Sequence, residues 1–209
     1  CGLALEYASD RFQNDKETVL TALRVGKTSK GRVLRHTLCF ASAELRRDRE
    51  VVMEAIQQQG GLSLRYVSSQ ELTNDREIVM TAIENDGGSL EYASLSLRSD
   101  RDIVMKAVEK NGMALEFASE ELRGDREIVM AALETDNVFG RVLQCASEDL
   151  KNDKEIVLHA VTKSGFNLRH ASATLRGDCE VVRTALKNKH YTKASAIISH
   201  TSQELRADR

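Results

Sequence analysis

The stretch "ALEFASEELRGDREIVMAAL", from Ala114 to Leu133, decides the fold, because close copies of it precede and follow it along the chain. Its aspartate is one of eight at matching places: Asp15, Asp48, Asp75, Asp100, Asp125, Asp153, Asp178 and Asp208. Successive spacings are 33, 27, 25, 25, 28, 25 and 30, so the basic unit is 25 residues with short insertions at a few joints. A fixed period of this size marks an array in which one supersecondary element is stacked many times. Residues 1–209 therefore read as a single array of about seven and a half repeats, expected to belong to a longer protein.

Counted from the aspartate, apolar residues stand at positions three, four, five, seven and eight, as in Ile128, Val129, Met130, Ala132 and Leu133. That spacing places one broad stripe on a helix of about eleven residues. Gly88, Gly112 and Gly165 follow, where a left-handed helix cap is expected. The other half of the unit, "ALEYAS" or "VLQCAS", has an apolar residue about ten before the aspartate and predicts a second, shorter helix. A serine six before the aspartate ends it and caps a brief turn, and the aspartate caps the long helix at the positive end of its dipole. Helices this short are marginal in water alone, so each unit must bury its stripe against its neighbours. The predicted fold is all-α, a right-stacked helical-repeat solenoid of ~25-residue two-helix units. Proline is absent, which suits helices and short turns, and the strand pattern of a leucine-rich horseshoe is missing.

The recurring "ALEYAS", "ELR", "DREIVM", "AV" and "NG" segments resemble the repeat of domain-of-unknown-function family 4116 along nearly the whole chain. The resemblance implies tandem arrays, mostly in proteins of single-celled eukaryotes (protists), with no agreed activity and no catalytic residues to carry over. Cys145, His170 and His200 stand where that repeat usually has an aromatic, and Arg183 where it has Met or Leu, which predicts less regular packing in the last units.

Thirty basic and 32 acidic residues give a formal charge of −2, removing the bulk electrostatic case for a nucleic-acid binder. No stretch reaches the roughly 20 apolar residues of a membrane helix, and "CGLALEYASD" lacks the pattern of a signal peptide. Cys1, Cys39, Cys145 and Cys179 are far apart in sequence, unlike a zinc site or a disulfide scaffold, which favours an intracellular reducing compartment. Serines and aspartates copied in every unit serve packing and capping, whereas an active site needs one asymmetric constellation. No catalytic residue, cofactor, small-molecule substrate or metal site is therefore expected. "GKTS" at Gly26 to Ser29 lacks the first glycine of a phosphate loop, Thr21 standing there. His36 and Cys39 lack the further ligands a metal needs.

Two basic rows remain. Lys16, Arg49, Arg76, Arg101, Arg126, Lys154 and Arg209 follow the aspartate, while Arg46, Arg98, Arg123, Lys151, Arg176 and Arg206 stand two before it. Stacked, they form either a track for a phosphate backbone or, as expected here, an ion-pair ladder with the Asp and Glu of neighbouring units. The expectation is a non-enzymatic scaffold for protein–protein interaction within a larger assembly; the alternative is binding of nucleic acid or an anionic surface. Candidate partner-binding residues come from positions that vary between copies, nine before and six after the aspartate, and from the two basic insertions. They are Glu91, Lys106, Glu116, Lys27, Lys30, Arg32, Lys187 and Lys189.

Overall fold

The computed structural model describes residues 2–25, 37–135 and 140–187. The chain divides into two compact units, residues 1–107 and 108–209, the division falling inside the long helix of the fourth repeat. Among the described residues every regular element is helical.

In the first unit the long helices are Lys16–Arg24, Arg49–Gln59, Arg76–Asn85 and the start of Arg101–Lys110. In the second they are Arg126–Glu134, Lys154–Lys163 and Cys179–Lys187, of nine or ten residues each. Each begins where its aspartate accepts backbone N–H groups that have no partner inside the helix: Asp125, for example, takes those of Glu127 and Ile128 at 2.9 and 3.1 Å. In the repeats between the first and the last described, the residues at three, four, seven and eight, such as Ile128, Val129, Ala132 and Leu133, are fully buried; in the first Thr18 and Ala22 are half-buried. The row at five is not: Met53, Met80, Met105, Met130 and Leu158 are half-buried, so the stripe is one residue narrower than the spacing predicts.

The expected second helix is a 3-10 helix in most repeats, as at Gly61–Tyr66, Gly87–Tyr92, Gly112–Phe117 and Gly165–His170. Its buried residues are the first, third and fourth, Gly112, Ala114 and Leu115 in one repeat and Gly61, Ser63 and Leu64 in another, and at three residues per turn the first and fourth fall on one line. A third element follows, either one α-turn such as Gln70–Thr73, Glu120–Arg123 and Glu148–Lys151 or a 3-10 turn such as Leu97–Ser99. Each repeat thus holds three helical segments rather than two. The serine opens the third one as predicted: the hydroxyls of Ser69, Ser119 and Ser147 accept the N–H of Leu72, Leu122 and Leu150 at 3.4 Å.

The glycines do a different job from the one predicted. Gly88, Gly112 and Gly165 are not left-handed; among the described residues only Gly60 and Gly140 have positive φ. Close approach explains Gly112 instead. A Cβ there would lie 2.3 Å from the Ala132 carbonyl oxygen, and at the equivalent Gly61 it would lie 2.0 Å from that of Ala82. Glycine lets the 3-10 helix touch the backbone of its own repeat's long helix. Two residues on, Ser63 and Asn167 are buried and donate to the carbonyls of Ala55 and Ala160, near the ends of the preceding long helices.

Adjacent repeats are also joined by backbone. The N–H groups of Ser42 and Ser94 in the first unit donate to Gln13 and Thr73 carbonyls at 2.9 Å. In the second, those of Ser147 and Ser172 donate to Arg123 and Lys151 at 3.0 and 2.9 Å. Leu150, Leu175 and Val181 are as buried as their counterparts, but in the last described helix Val182 is half-buried and Leu186 is 40% exposed where Val157 and Val161 are fully buried, so packing there is less regular, in line with the expectation; Arg183 is exposed in the half-buried outer row. His200 lies outside the described residues. In the first repeat Phe12 is 50% exposed, whereas the leucines at that position in later repeats are 7–9% exposed.

Candidate functional site

The two basic rows part company in the structure. The row after the aspartate is committed to the predicted ladder. Lys16 bonds Asp48 and Glu50 at 2.8 Å, and Arg49 reaches Asp75 and Glu77 at 3.3 and 2.5 Å. Arg76 pairs with Asp100 and Asp102. In the second unit Arg126 pairs with Asp153 and Glu155, and Lys154 with Asp178 and Glu180 at 2.9 and 2.8 Å. Each base of one repeat meets the capping aspartate of the next and the acid two residues on. Hydrogen bonds that it donates to Asp48 and Glu50 hold the pKa of the Lys16 ammonium above its ordinary value. The Asp153 carboxyl is held below its own, first by the Ile156 N–H and then by Arg126.

In the row two before the aspartate, Arg46, Arg123, Lys151 and Arg176 make no such ladder, contrary to the expectation. Lys151 bonds only Glu148 of its own turn, at 2.8 Å. Arg46, Arg123 and Arg176 are half-buried, and in all three the Nε is buried without a hydrogen-bond partner. A buried donor left unsatisfied calls for a physical account, because it forgoes a bond that water or a ligand would supply.

Beside these arginines runs the 3-10 face. Glu6 and Glu91 are exposed on it in the first unit; Glu116 and Arg169 are exposed on it in the second, as is Gln144 of Val142–Cys145, the α-turn that takes the place of the 3-10 helix in its repeat. Next to them stand Tyr66 and Tyr92 in the first unit and Phe117 and His170 in the second, all half-buried. The rows are close enough to interact. Burial raises the Cys39 thiol, the Glu6 carboxylate adds to this, and Arg46 opposes it. Burial likewise raises the Cys145 thiol, which feels Glu116 and Arg123. Neither cysteine is an activated nucleophile.

Grooves open between successive turns on this side. In the first unit one of about 590 Å³ is lined by Asn74, Ser94, exposed Leu95 and Arg98. In the second, one of about 360 Å³ is lined by Arg123, Gln144, Glu148 and Lys151. The side chain before the aspartate helps build them: Asn14 and Asn74 accept from Ser42 and Ser94 at 2.7 and 2.6 Å, and Asn152 accepts from Ser172 at 2.7 Å. Sequence spacing alone gave these asparagines no role.

Of the candidate residues, Glu91 and Glu116 lie on the 3-10 face of their units, and Lys187 is exposed at the end of its helix. Lys106 lies instead on the long helix and is half-buried. Its row, six after the aspartate, faces the neighbouring helix. Glu54 of that row bonds Arg24 at 3.2 Å, and His159 Nε2 lies 2.8 Å from Glu134, which Lys163 also holds at 2.5 Å. Lys163 and then His159 lower the Glu134 carboxyl. That row is therefore less available to a partner than its variability suggests. Arg24, at the start of the first basic insertion, is spent on Glu54. Lys27, Lys30, Arg32, Lys189, His36 and the GKTS stretch lie outside the described residues.

Among the described residues no group of three or more His, Cys, Asp or Glu is placed to hold a metal ion, and no helix is long and apolar enough to cross a membrane. No curated protein and no solved structure matches the chain. The model of one family, described as domain of unknown function (DUF4116), matches five times, at residues 1–37, 34–73, 75–123, 100–138 and 125–176. These matches overlap the repeats and together span most of the chain, which belongs to the DUF4116 family.

Proposed function

We propose that this chain is a non-enzymatic scaffold that binds a protein partner through the 3-10 face of its repeats, as part of a larger assembly. One observation carries the reading: Arg46 in the first unit and Arg123 and Arg176 in the second each have a buried Nε without a hydrogen-bond partner, in repeats that also carry half-buried aromatic side chains. Aromatic residues and arginine are the types enriched where proteins bind one another, because they bring large apolar area together with directed hydrogen bonds. Repetition multiplies a modest contact, and a repeat can vary its exposed residues without disturbing its core. Copying the serines and aspartates into every unit suits capping rather than catalysis.

Substitution separates this face from the opposite one. Tyr92→Ser with Phe117→Ser should reduce retention of specific partners at least tenfold, with unchanged circular dichroism. Thr162→Glu, on the exposed side of a long helix, should leave retention unchanged. Equal retention by all the variants would refute the assignment of the face.

A further inference from the structure

Three of the six large apolar side chains exposed among the described residues belong to the first repeat: Tyr7, Phe12 and Val25, at 84, 50 and 53%. Phe12 and Val25 line an apolar groove of about 330 Å³ together with Ala4, Ala8, Thr18 and Ala22. Thr18 and Ala22 stand three and seven after the aspartate and are half-buried, whereas their counterparts Val51 and Ala55 in the second repeat, and Ile78 and Ala82 in the third, are fully buried. Val19 and Leu23, at four and eight, are fully buried even in the first repeat. The long helix that carries them, Lys16–Arg24, packs on Arg49–Gln59, which packs in turn on Arg76–Asn85. One pair of the stripe thus faces forward along the unit. The other faces back, to the side where the second and third repeats each hold the long helix behind them.

The acids of the first repeat match that arrangement. At the inner junctions of the first unit the helix behind opens on a base, Lys16, Arg49 or Arg76, which meets the capping aspartate ahead and the acid two residues on. Asp15 and Glu17 are the same two acids in the first repeat. Both are exposed, and Arg11 and Arg24 act on them only at a distance. We infer that this end of the first repeat receives a helix of another protein chain, built like the helix behind each later repeat: a lysine or arginine to meet Asp15 and Glu17, then apolar residues three and seven further on to cover Thr18 and Ala22. Arg49, Val52 and Ile56 show that pattern at an inner junction. An amphipathic helix laid in an apolar groove is a recurring mode of recognition, and the acids at the rim select its charge, since an acidic helix of the same spacing would meet them with like charge. Thr18 marks a helix that comes and goes. Val or Ile stands at this position in every later described repeat, as a permanently buried face requires, whereas the Thr18 hydroxyl bonds Asp15 and tolerates water while the groove is open. The inference does not depend on the 3-10 face.

The test is fluorescence anisotropy, against the full chain, of a labelled peptide with the sequence of residues 75–87, in which Arg76, Val79 and Ile83 carry the pattern. So short a helix is marginal in water, and a staple on its other face keeps it helical. The peptide should bind, and a twin carrying Arg76→Glu should bind about tenfold more weakly. Glu17→Lys in the chain should reverse that preference in favour of the twin, which a merely structural role of Glu17 would not do. Phe12→Ser with Val25→Ser should abolish binding of the first peptide with circular dichroism unchanged, while Tyr92→Ser with Phe117→Ser should leave it intact. No binding, equal binding of the two peptides, or a preference that Glu17→Lys leaves unaltered would overturn the inference while leaving the scaffold reading to its own partner-retention test. Self-association of the chain in sedimentation, abolished by Phe12→Ser with Val25→Ser, would overturn it in favour of a second copy.

Discussion

Gly112→Ala should be among the most damaging single-methyl additions in this protein. A Cβ built on Gly112 falls 2.3 Å from the Ala132 carbonyl oxygen, 2.7 Å from the Thr135 hydroxyl and 3.1 Å from the Ala132 carbonyl carbon. Ordinary contact begins near 3.4 Å, so the 3-10 helix must move about 1 Å away from the long helix. Such a shift loosens Leu115, which is fully buried, and strains the Thr135 hydroxyl, which bonds the Val108 and Ala132 carbonyls at 3.1 and 3.0 Å. Overpacking costs about 1 to 3 kcal/mol where side chains can adjust, and here the obstacle is backbone, so about 3 kcal/mol is expected. For a domain of this size that lowers Tm by roughly 6 to 12 °C. Gly124→Ala makes the internal comparison: its Cβ would lie 3.3 Å from the Glu121 carbonyl, its φ is −96°, and the residue is exposed. That change should be neutral or stabilise by about 0.5 kcal/mol, through the unfolded chain. Thermal unfolding followed by circular dichroism reads both. Asparagine at Gly112 sharpens the test, since a left-handed cap would tolerate it and a close approach would not. A mild Gly112→Asn, or equal effects of the two alanines, would refute the packing role of this glycine.

Three further outcomes follow from the caps and the ladder. Asp153→Ala should cost about 2 kcal/mol, because Asp153 accepts two N–H groups at 2.9 and 3.0 Å and also pairs with Arg126, whereas Ser147→Ala, losing one bond of 3.4 Å, should cost about 0.5 kcal/mol; equal losses in urea titration would contradict this. Arg126→Met should cost no more than about 1 kcal/mol, the side chain being 42% exposed, and the cost should shrink at roughly 1 M salt, where the screening length is about 3 Å; a salt-independent loss would point to packing instead. Asp178 is held below its ordinary value first by the Lys154 hydrogen bond and then by the Val181 N–H. A lowered folded pKa adds stability that is complete above the unfolded carboxylate value, near 4, and is lost as pH falls through the folded one. Unfolding temperature should therefore fall steeply only below about pH 4, and Asp178→Asn should blunt that fall; an unchanged acid slope in the variant would oppose the assignment.

Much of the architecture was legible in the chain. The 25-residue period, the capping aspartate and the serine six before it are local features, and local hydrogen bonding decides where helices start. The 3-10 nature of the short helix was not legible, because a six-residue segment with Gly112, Ala114 and Leu115 buried fits either helical period. What spacing could not reveal was the offset between neighbouring repeats. Both basic rows lie within one turn of the aspartate, yet only that offset decides that Arg126 meets Asp153 and Glu155 while Arg123 meets neither. The same offset turned Glu54 and His159, variable and apparently outward, toward Arg24 and Glu134 of the preceding repeats. Variability between copies thus picked out Glu91 and Glu116 on the open face, and Lys106 on a row that faces a neighbour.

The most direct test of the scaffold account is site-specific photo-cross-linking in the cell of origin. A photoreactive residue at Gln144, on the 3-10 face, and one at Thr162, on the exposed side of a long helix in the same unit, sample opposite predictions at equal expression. The account predicts one recurrent protein captured from Gln144 and lost on Arg123→Gln, with none captured from Thr162. Capture from Thr162 alone, or from neither site, would contradict it.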